Sequence, residues 1–265
     1  MINLHPLYSS SSGNMFHLET DKTDILIDAG VTYKAMNEGL KSINKSMQDI
    51  SAVLITHEHI DHIKGIPLFC RKNDHIPIYA CGKTADYIQE LLEEKNIEGN
   101  IQKISYGKPF KIRDLEIMPF ETSHDAIMPC GFHIKNKETT LGYATDLGYV
   151  SNEVLEYLQD SNYVVLESNY DNTMLDFGKY PYPLKRRIKS VTGHLSNEDC
   201  AHTMARLCKH GISHFLLAHL STNNNNQDIA QNTIVDVLQS CDVDPNSLQI
   251  DFASKLLSSE GYSLC

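Results

Sequence analysis

The segment Thr56-His57-Glu58-His59-Ile60-Asp61-His62 constrains this chain more than any other, because it packs four metal-ligand side chains into six positions. The run Ser51-Ala-Val-Leu-Ile-Thr56 ahead of it is apolar and rich in β-branched residues, which reads as a buried strand, and Ile63-Lys64-Gly65-Ile66 after it can begin a helix. The ligands therefore sit at the carboxyl end of a strand. An α/β sheet opens into a crevice there, and a loop can aim imidazoles and a carboxylate at one point without burying unpaired polar groups. Neutral imidazole combined with carboxylate suits zinc, manganese or iron. An adventitious His-rich surface tract would lack both the strand and matching ligands elsewhere.

Matching ligands follow other strands. His124 comes after Glu116-Ile-Met-Pro-Phe120, Asp146 after Leu141-Gly-Tyr-Ala-Thr145, and His219 after Phe215-Leu-Leu-Ala218. Each alone reads equally as a hydrogen-bonded strand-end His or an Asp-Leu-Gly turn. With His57, His59, Asp61 and His62 they make seven donors, enough for two divalent ions with one bridging carboxylate and open positions for water.

The order of elements speaks for two β-sheets with helices outside them rather than a doubly wound sheet, since strands cluster in hairpins as well as alternating with helices. Strand patterns cover Leu4 to Tyr8, Met15 to Glu19, Asp24 to Asp28, Ile76 to Ala80, Leu115 to Phe120, Thr140 to Thr145, Tyr163 to Glu167, His214 to Ala218 and Leu248 to Phe252. The stretch from Ser9 to Asn14 reads as a turn. Helical patterns cover Thr84 to Asn96, Asn152 to Gln159, Asn197 to His210 and Gln227 to Ser240, with Asn223 to Asn226 a loop whose end caps the last of these. A chain of 265 residues can bury a large core as a single domain, 1–265.

The formal net charge of -11 argues against a broad basic surface that grips nucleic acid by bulk charge, although a metal pair could still focus a phosphate into one site. Seven cysteines, odd in number and without a Cys-x-x-Cys pair, argue against a disulfide framework, and no apolar stretch approaches a membrane span. A cytoplasmic protein is expected. Nothing designates a protein partner or a membrane.

At the level of these seven residues the chain resembles the metallo-β-lactamase fold hydrolases, whose signature is His-x-His-x-Asp-His followed by a separate His, Asp and His. The resemblance spans nearly the whole chain. It implies an α/β (α+β) fold, a four-layer αββα sandwich of two mixed sheets, with His57, His59 and His124 on one metal, Asp61, His62 and His219 on the other, and Asp146 between them. The chain is similar in particular to the YycJ/WalJ-like branch, through Ser10-Ser-Ser12-Gly13-Asn14, Ser123-His124-Asp125-Ala126, Glu167-Ser-Asn-Tyr-Asp171, Tyr180-Pro181, Leu184-Lys-Arg-Arg187 and Gly193-His-Leu-Ser-Asn197. That branch implies a cytoplasmic phosphodiesterase with nuclease activity, a 5′ to 3′ exonuclease on DNA. β-Lactamases of the fold carry Arg or Cys where this chain has His62 and Asp146, which disfavours antibiotic hydrolysis. The interval from Asp146 to His219 is too short for the large insertion of RNA-processing and DNA-repair members, and no long transfer-RNA-gripping arm is present.

Two divalent ions close together lower the pKa of a bridging water, deliver hydroxide near neutral pH and clamp phosphodiester oxygens. Asp61 is expected to orient that hydroxide or accept its proton, and His194 to protonate the leaving oxygen. Ser196 can cap a helix beginning at Asn197, with Asp199 favouring the positive end of its dipole, and a phosphate can bind at the same place. Lys185, Arg186 and Arg187 lie in the densest basic run and suit phosphate contacts, though the same run also reads as a solvated helix face. Ser12 and Asn14 can offer donors near the metals, and Asn169 enters by motif match alone. Tyr180 and Tyr182 can stack on a base or simply pack in a Pro-rich loop. A hydrolase of small thioesters, lactones or cyclic nucleotides would use the same metals. A regulatory protein with structural metals is the reading from another class.

Overall fold

The computed structural model describes residues 2–253 and the backbone of 262–264. Both sheets are built by the same sequence of moves. In the first, β1 (Ile2–Ser10), β2 (Gly13–Glu19) and β3 (Asp24–Ile27) run antiparallel, and β4 (Ala52–Ile55), β5 (Ile78–Cys81) and β6 (Ile101–Ile104) continue in parallel from β3. In the second, β7 (Phe110–Ile112), β8 (Leu115–Glu121), β9 (Cys130–Lys135) and β10 (Thr140–Ala144) run antiparallel. Strands β11 (Tyr163–Glu167), β12 (His214–Ala218) and β13 (Gln249–Phe252) then add in parallel. Strand β14 (Tyr262–Leu264) returns to pair antiparallel with β1.

Alternation along the strands builds three apolar layers. Phe16, Ile25, Ile27 and Leu54 face Ile117, Phe132, Ile134, Tyr143 and Val165 between the sheets, with the rings of Phe16 and Tyr143 edge to face at 5.3 Å. Leu26, Val53 and Ile55 point the other way, onto α1 (Tyr33–Ser42), α3 (Ile66–Lys72) and α4 (Gly82–Glu93). Val164, Leu166 and Leu217 likewise pack on α5 (Asn152–Gln159), α8 (Asn197–Cys208) and α9 (Gln227–Ser240). The result is the expected αββα sandwich. At about 1.5–3 kcal/mol for each large apolar side chain fully buried, these layers are the main stabilising term.

Several boundaries differ from the sequence reading. Strand β1 continues to Ser10 and the turn shrinks to Ser11 and Ser12, because Ser9 and Ser10 pair with Asn14 and Gly13. The helix expected to begin after His62 begins earlier, as α2 (Ile60–Ile63), and carries Asp61 and His62 inside it. Helix α4 starts at Gly82, two residues before Thr84, and α8 ends at Cys208. Helices α1, α6 (Asn172–Phe177) and α7 (Tyr182–Ile188) and strands β6, β7 and β9 add to the expected set. Asn226 does cap α9, accepting from the Ile229 amide at 2.9 Å. Among the described residues no helix is long and apolar enough to cross a membrane.

Candidate active site

The carboxyl ends of β3, β4, β10, β11 and β12 reach one edge of the sandwich, and each delivers a polar residue there. Asp28 follows β3, Thr56 and His57 follow β4, Asp146 follows β10, Glu167 ends β11, and His219 follows β12. Asp28, Asp146 and His219 have φ of 63°, 57° and 58°. This left-handed turn swings each side chain off its strand and back into the edge, at a cost Asp and His bear better than bulkier residues. Gly30 lets β3's end pass directly under the short helix α2: a Cβ there would lie 1.6 Å from the Asp61 carbonyl oxygen.

The imidazoles are oriented from behind. His62 Nδ1 lies 2.8 Å from Asp28 Oδ2, His219 Nδ1 2.8 Å from Glu167 Oε1, and His124 Nδ1 3.0 Å from the Gly193 carbonyl oxygen. His57 Nδ1 lies 3.0 Å from Thr56 Oγ1, which itself donates to Asp28. Acceptors at Nδ1 fix a proton there and turn Nε2 inward, the atom a metal would take. His59 approaches in the opposite sense, Nδ1 first, 3.2 Å from His124 Nε2. Glu58, the non-ligand carboxylate of the run, instead accepts from the Ile127 amide at 2.8 Å and steadies the loop that carries His124.

Three buried atoms at the centre have no hydrogen-bond partner: His57 Nε2, Asp146 Oδ2 and His219 Nε2. A buried polar atom without a partner costs on the order of 1–3 kcal/mol, and a cation is what this donor set would accept. Among the described residues four groups at this edge have donors mutually within 4.8 Å: His57 with His59 and His124, Asp61 with His62 and His219, His57 with His62 and Asp146, and Asp146 with Glu167, His194 and His219. Asp146 lies between the first two, 3.9 Å from His124 Nε2 and 3.5 Å from His62 Nε2. The seven expected residues thus come together, in a cluster suited to divalent metal.

Electrostatics agree with that chemistry. Burial drives the His57 imidazole well down, and neighbouring imidazoles add to the effect, so it stays neutral. Burial lowers His62 as well, but Asp28 and Asp146 overcome it and lift its pKa to about 9. Burial would raise Asp61 and Glu167, yet His219 and His62 around the first, and His194 and His219 around the second, hold both well below the usual carboxylate range. Carboxylates that draw protons onto His62 and His219 create the negative potential a divalent cation would relieve.

Glu167 and Asp28 are the functional residues sequence reading passed over. Glu167 is fully buried and takes four partners: His219, His194 Nδ1 at 2.8 Å, and the amides of Leu147 and Leu195 at 3.0 and 3.2 Å. Asp28 is equally buried. The available signal was the same one that singled out Asp146 and His219, an ionisable residue closing an apolar strand. His194 is partly exposed, its ring 5.1 Å from that of His124 and 5.3 Å from that of His219.

The expected substrate residues are placed unevenly. Asn14 is in the cluster, with Nδ2 3.1 Å from His62 Nε2. Arg187 stands at the rim, paired through Nη2 at 2.9 Å with Asp125, whose carboxylate is 3.7 Å from His124. Asn169 donates to the His219 carbonyl at 2.8 Å and so supports a ligand's backbone. Ser196 spends its hydroxyl on the cap, accepting from the Asp199 amide and donating to its carboxylate. Lys185 is tied to the carbonyls of Asp176 and Gly178, Arg186 is exposed on α7, and Ser12 hydrogen bonds with Ser10 in the β1–β2 turn.

Comparison with known proteins adds an independent line. Residues 23–220 match the family model described as a beta-lactamase superfamily domain. The chain is 40% identical over 238 residues to exodeoxyribonuclease YycJ of Bacillus anthracis, covering 88% of each chain. It is 36% identical to exodeoxyribonuclease WalJ of Streptococcus pneumoniae over 89% of this chain and 88% of the relative. Among solved structures, a diphosphatase of the PhnP family superposes with a TM-score of 0.71 at 16% identity, over 100% of this chain and 99% of the other, which bears on the fold alone.

Proposed function

The chain belongs to the beta-lactamase superfamily, in its metallo-β-lactamase fold form, and from that premise we propose that it is a metal-dependent exodeoxyribonuclease acting from the 5′ end. The observation that carries the reading is the cluster of inward-facing donors, with His57 Nε2, Asp146 Oδ2 and His219 Nε2 buried and without a hydrogen-bond partner. His57, His59 and His124 would hold one divalent ion and Asp61, His62 and His219 a second, with Asp146 shared; zinc, manganese and iron all suit these donors. Bound there, such ions supply activation of water near neutral pH and positive charge for the phosphodiester oxygens. A single domain over 1–265, working in the cytoplasm, fits the reading.

The chain's own groups divide the remaining work. Asp61, kept ionised by His219 and His62, orients the attacking water as a hydrogen-bond acceptor. His194 gives its proton to the leaving oxygen: its Nδ1 is held by Glu167, which orients the ring, and its other nitrogen serves the cleft. Arg187, at the rim beside Asp125, exchanges that partner for a substrate phosphate. Asn14 borders the His62 side.

The test is digestion of 5′-labelled and 3′-labelled single-stranded and duplex DNA with Mn2+, Zn2+ or chelator, against Asp61→Asn. Metal-dependent release of the 5′ label first, absent in the variant, is the expected result; release of the 3′ label first overturns the polarity. A small-molecule hydrolase is the second reading, favoured by the net charge of -11 and by the internal ties of Lys185 and Arg187. Turnover of a thioester or bis(p-nitrophenyl) phosphate with DNA left intact under every metal decides for it.

A further inference from the structure

A second group of donors lies at the far end of the β1–β2 hairpin. His5 and His17 face each other across the strand pair, their ring centroids 5.6 Å apart, and Glu19 stands two residues beyond His17 on the same face. Their donor atoms lie within 4.8 Å of one another. His17 has no exposed surface and His5 little. The Nδ1 atoms of both are buried without a hydrogen-bond partner. In a folded protein such atoms call for an explanation, and here there are two side by side.

The surroundings resemble those of the catalytic imidazoles. His17 Nε2 is 2.9 Å from Asp24 Oδ1, so its proton sits on Nε2 and the bare Nδ1 carries the lone pair. Glu19 divides its oxygens: Oε1 accepts from Asn3 at 3.2 Å and lies 3.6 Å from His5, while Oε2 pairs with Lys45. Lys45 also reaches Asp24 Oδ1 at 2.7 Å. One ammonium thus faces two carboxylates, and burial keeps His5 on the neutral side. Lys45 thus offsets one of the two carboxylates, and a net negative charge is left beside the two imidazoles.

We propose that His5, His17 and Glu19 form a second metal site, separate from the catalytic cluster, that takes a zinc-class divalent ion. Two imidazoles and one carboxylate are a zinc donor set, with solvent completing the shell. Asp24 is the positioning residue that fixes the His17 tautomer, and Lys45, on Glu19 Oε2 and Asp24 Oδ1, offsets part of the carboxylate charge. The ion clips β1 to β2 at the end of the hairpin opposite Ser9 and Asn14, roughly 13 Å along the strand from them.

Zinc bound per chain is measured by elemental analysis after desalting the full-length protein, alongside the melting midpoint with and without added Zn2+. His5→Gln, at the more exposed position, is expected to lose one zinc equivalent and part of the zinc-induced rise in melting, while DNA cleavage is kept. The same loss of one equivalent is expected in the Asp61→Asn background, which separates it from the catalytic ions. Asp24→Asn should weaken that equivalent by about 10–100-fold, and Lys45→Gln should tighten it by removing a competing cation. His5→Gln that keeps the full zinc count and the full thermal response overturns the proposal, as does a third equivalent lost equally from the parent on desalting, which would mark an adventitious ion only.

Discussion

The two sheets carry the same corner in equivalent places and use it differently. Asp28-Ala29-Gly30 and Asp146-Leu147-Gly148 each follow the first parallel strand of a sheet, each with its Asp in the left-handed region. Asp28 is saturated: its oxygens take the Thr56 amide and hydroxyl and His62 Nδ1. Asp146 keeps Oδ2 bare among the donors. Local conformation therefore puts a carboxylate at the edge, and what faces it determines whether it orients a ligand or serves as one.

Removing the carboxylate charge from each corner should separate the two roles. Asp146→Asn keeps a residue type that tolerates the left-handed turn, so the protein should fold, and metal affinity measured with a competing chelator should fall by more than about 100-fold. Asp28→Asn should lower the same affinity by about 10–100-fold, since it acts only through His62 and Thr56, and should also lower the melting midpoint. Equal losses in the two variants would break the distinction between the corners.

His62 lies between the corners, and its titration reports on both. Its folded pKa of about 9 is above the ordinary 6.5, so the stabilisation is complete below about pH 6.5 and is lost as pH rises through about 9. Chelator-treated protein should lose on the order of 3 kcal/mol across that window in denaturant melts, and Asp28→Asn should flatten the slope. Metal-loaded protein should show the opposite trend in affinity, because binding displaces protons from the imidazoles. The smallest effect is a control: Ser196→Ala removes the cap of α8 and should cost about 1 kcal/mol of stability while leaving metal affinity unchanged.

What could be read beforehand follows from how densely each signal is written. The His57 to His62 run is contiguous, so a strand and a ligand loop are legible together. His124, Asp146 and His219 are spread over nearly a hundred residues, and only the seven together made them legible. Glu167 looked like the polar end of a strand; its importance comes from four partners contributed by three separate segments. Strand β9 is not legible in the sequence because Gly131 and His133 break its apolar pattern. Gly131 is required there, since a Cβ would lie 2.4 Å from the Phe120 ring. Strand β6, Ile101-Gln-Lys-Ile104, exposes its two central residues at a sheet edge and so lacks a clear alternation. Helices α6 and α7 are short and largely exposed, and tertiary packing of Leu175 and Ile188 against Tyr170 supports what propensity alone does not.

The His219 amide donates to Ser9 Oγ at 2.8 Å, joining positions 210 residues apart at the edge of the cleft. A ribosome delivers Ser9 early and His219 only after most of the two sheets has emerged, so this donor is the last of the seven to join the cluster during synthesis. Completion of the seven-residue cluster is thereby tied to completion of the fold: a chain ending before residue 219 lacks both the last imidazole and the bond that joins it to the first hairpin.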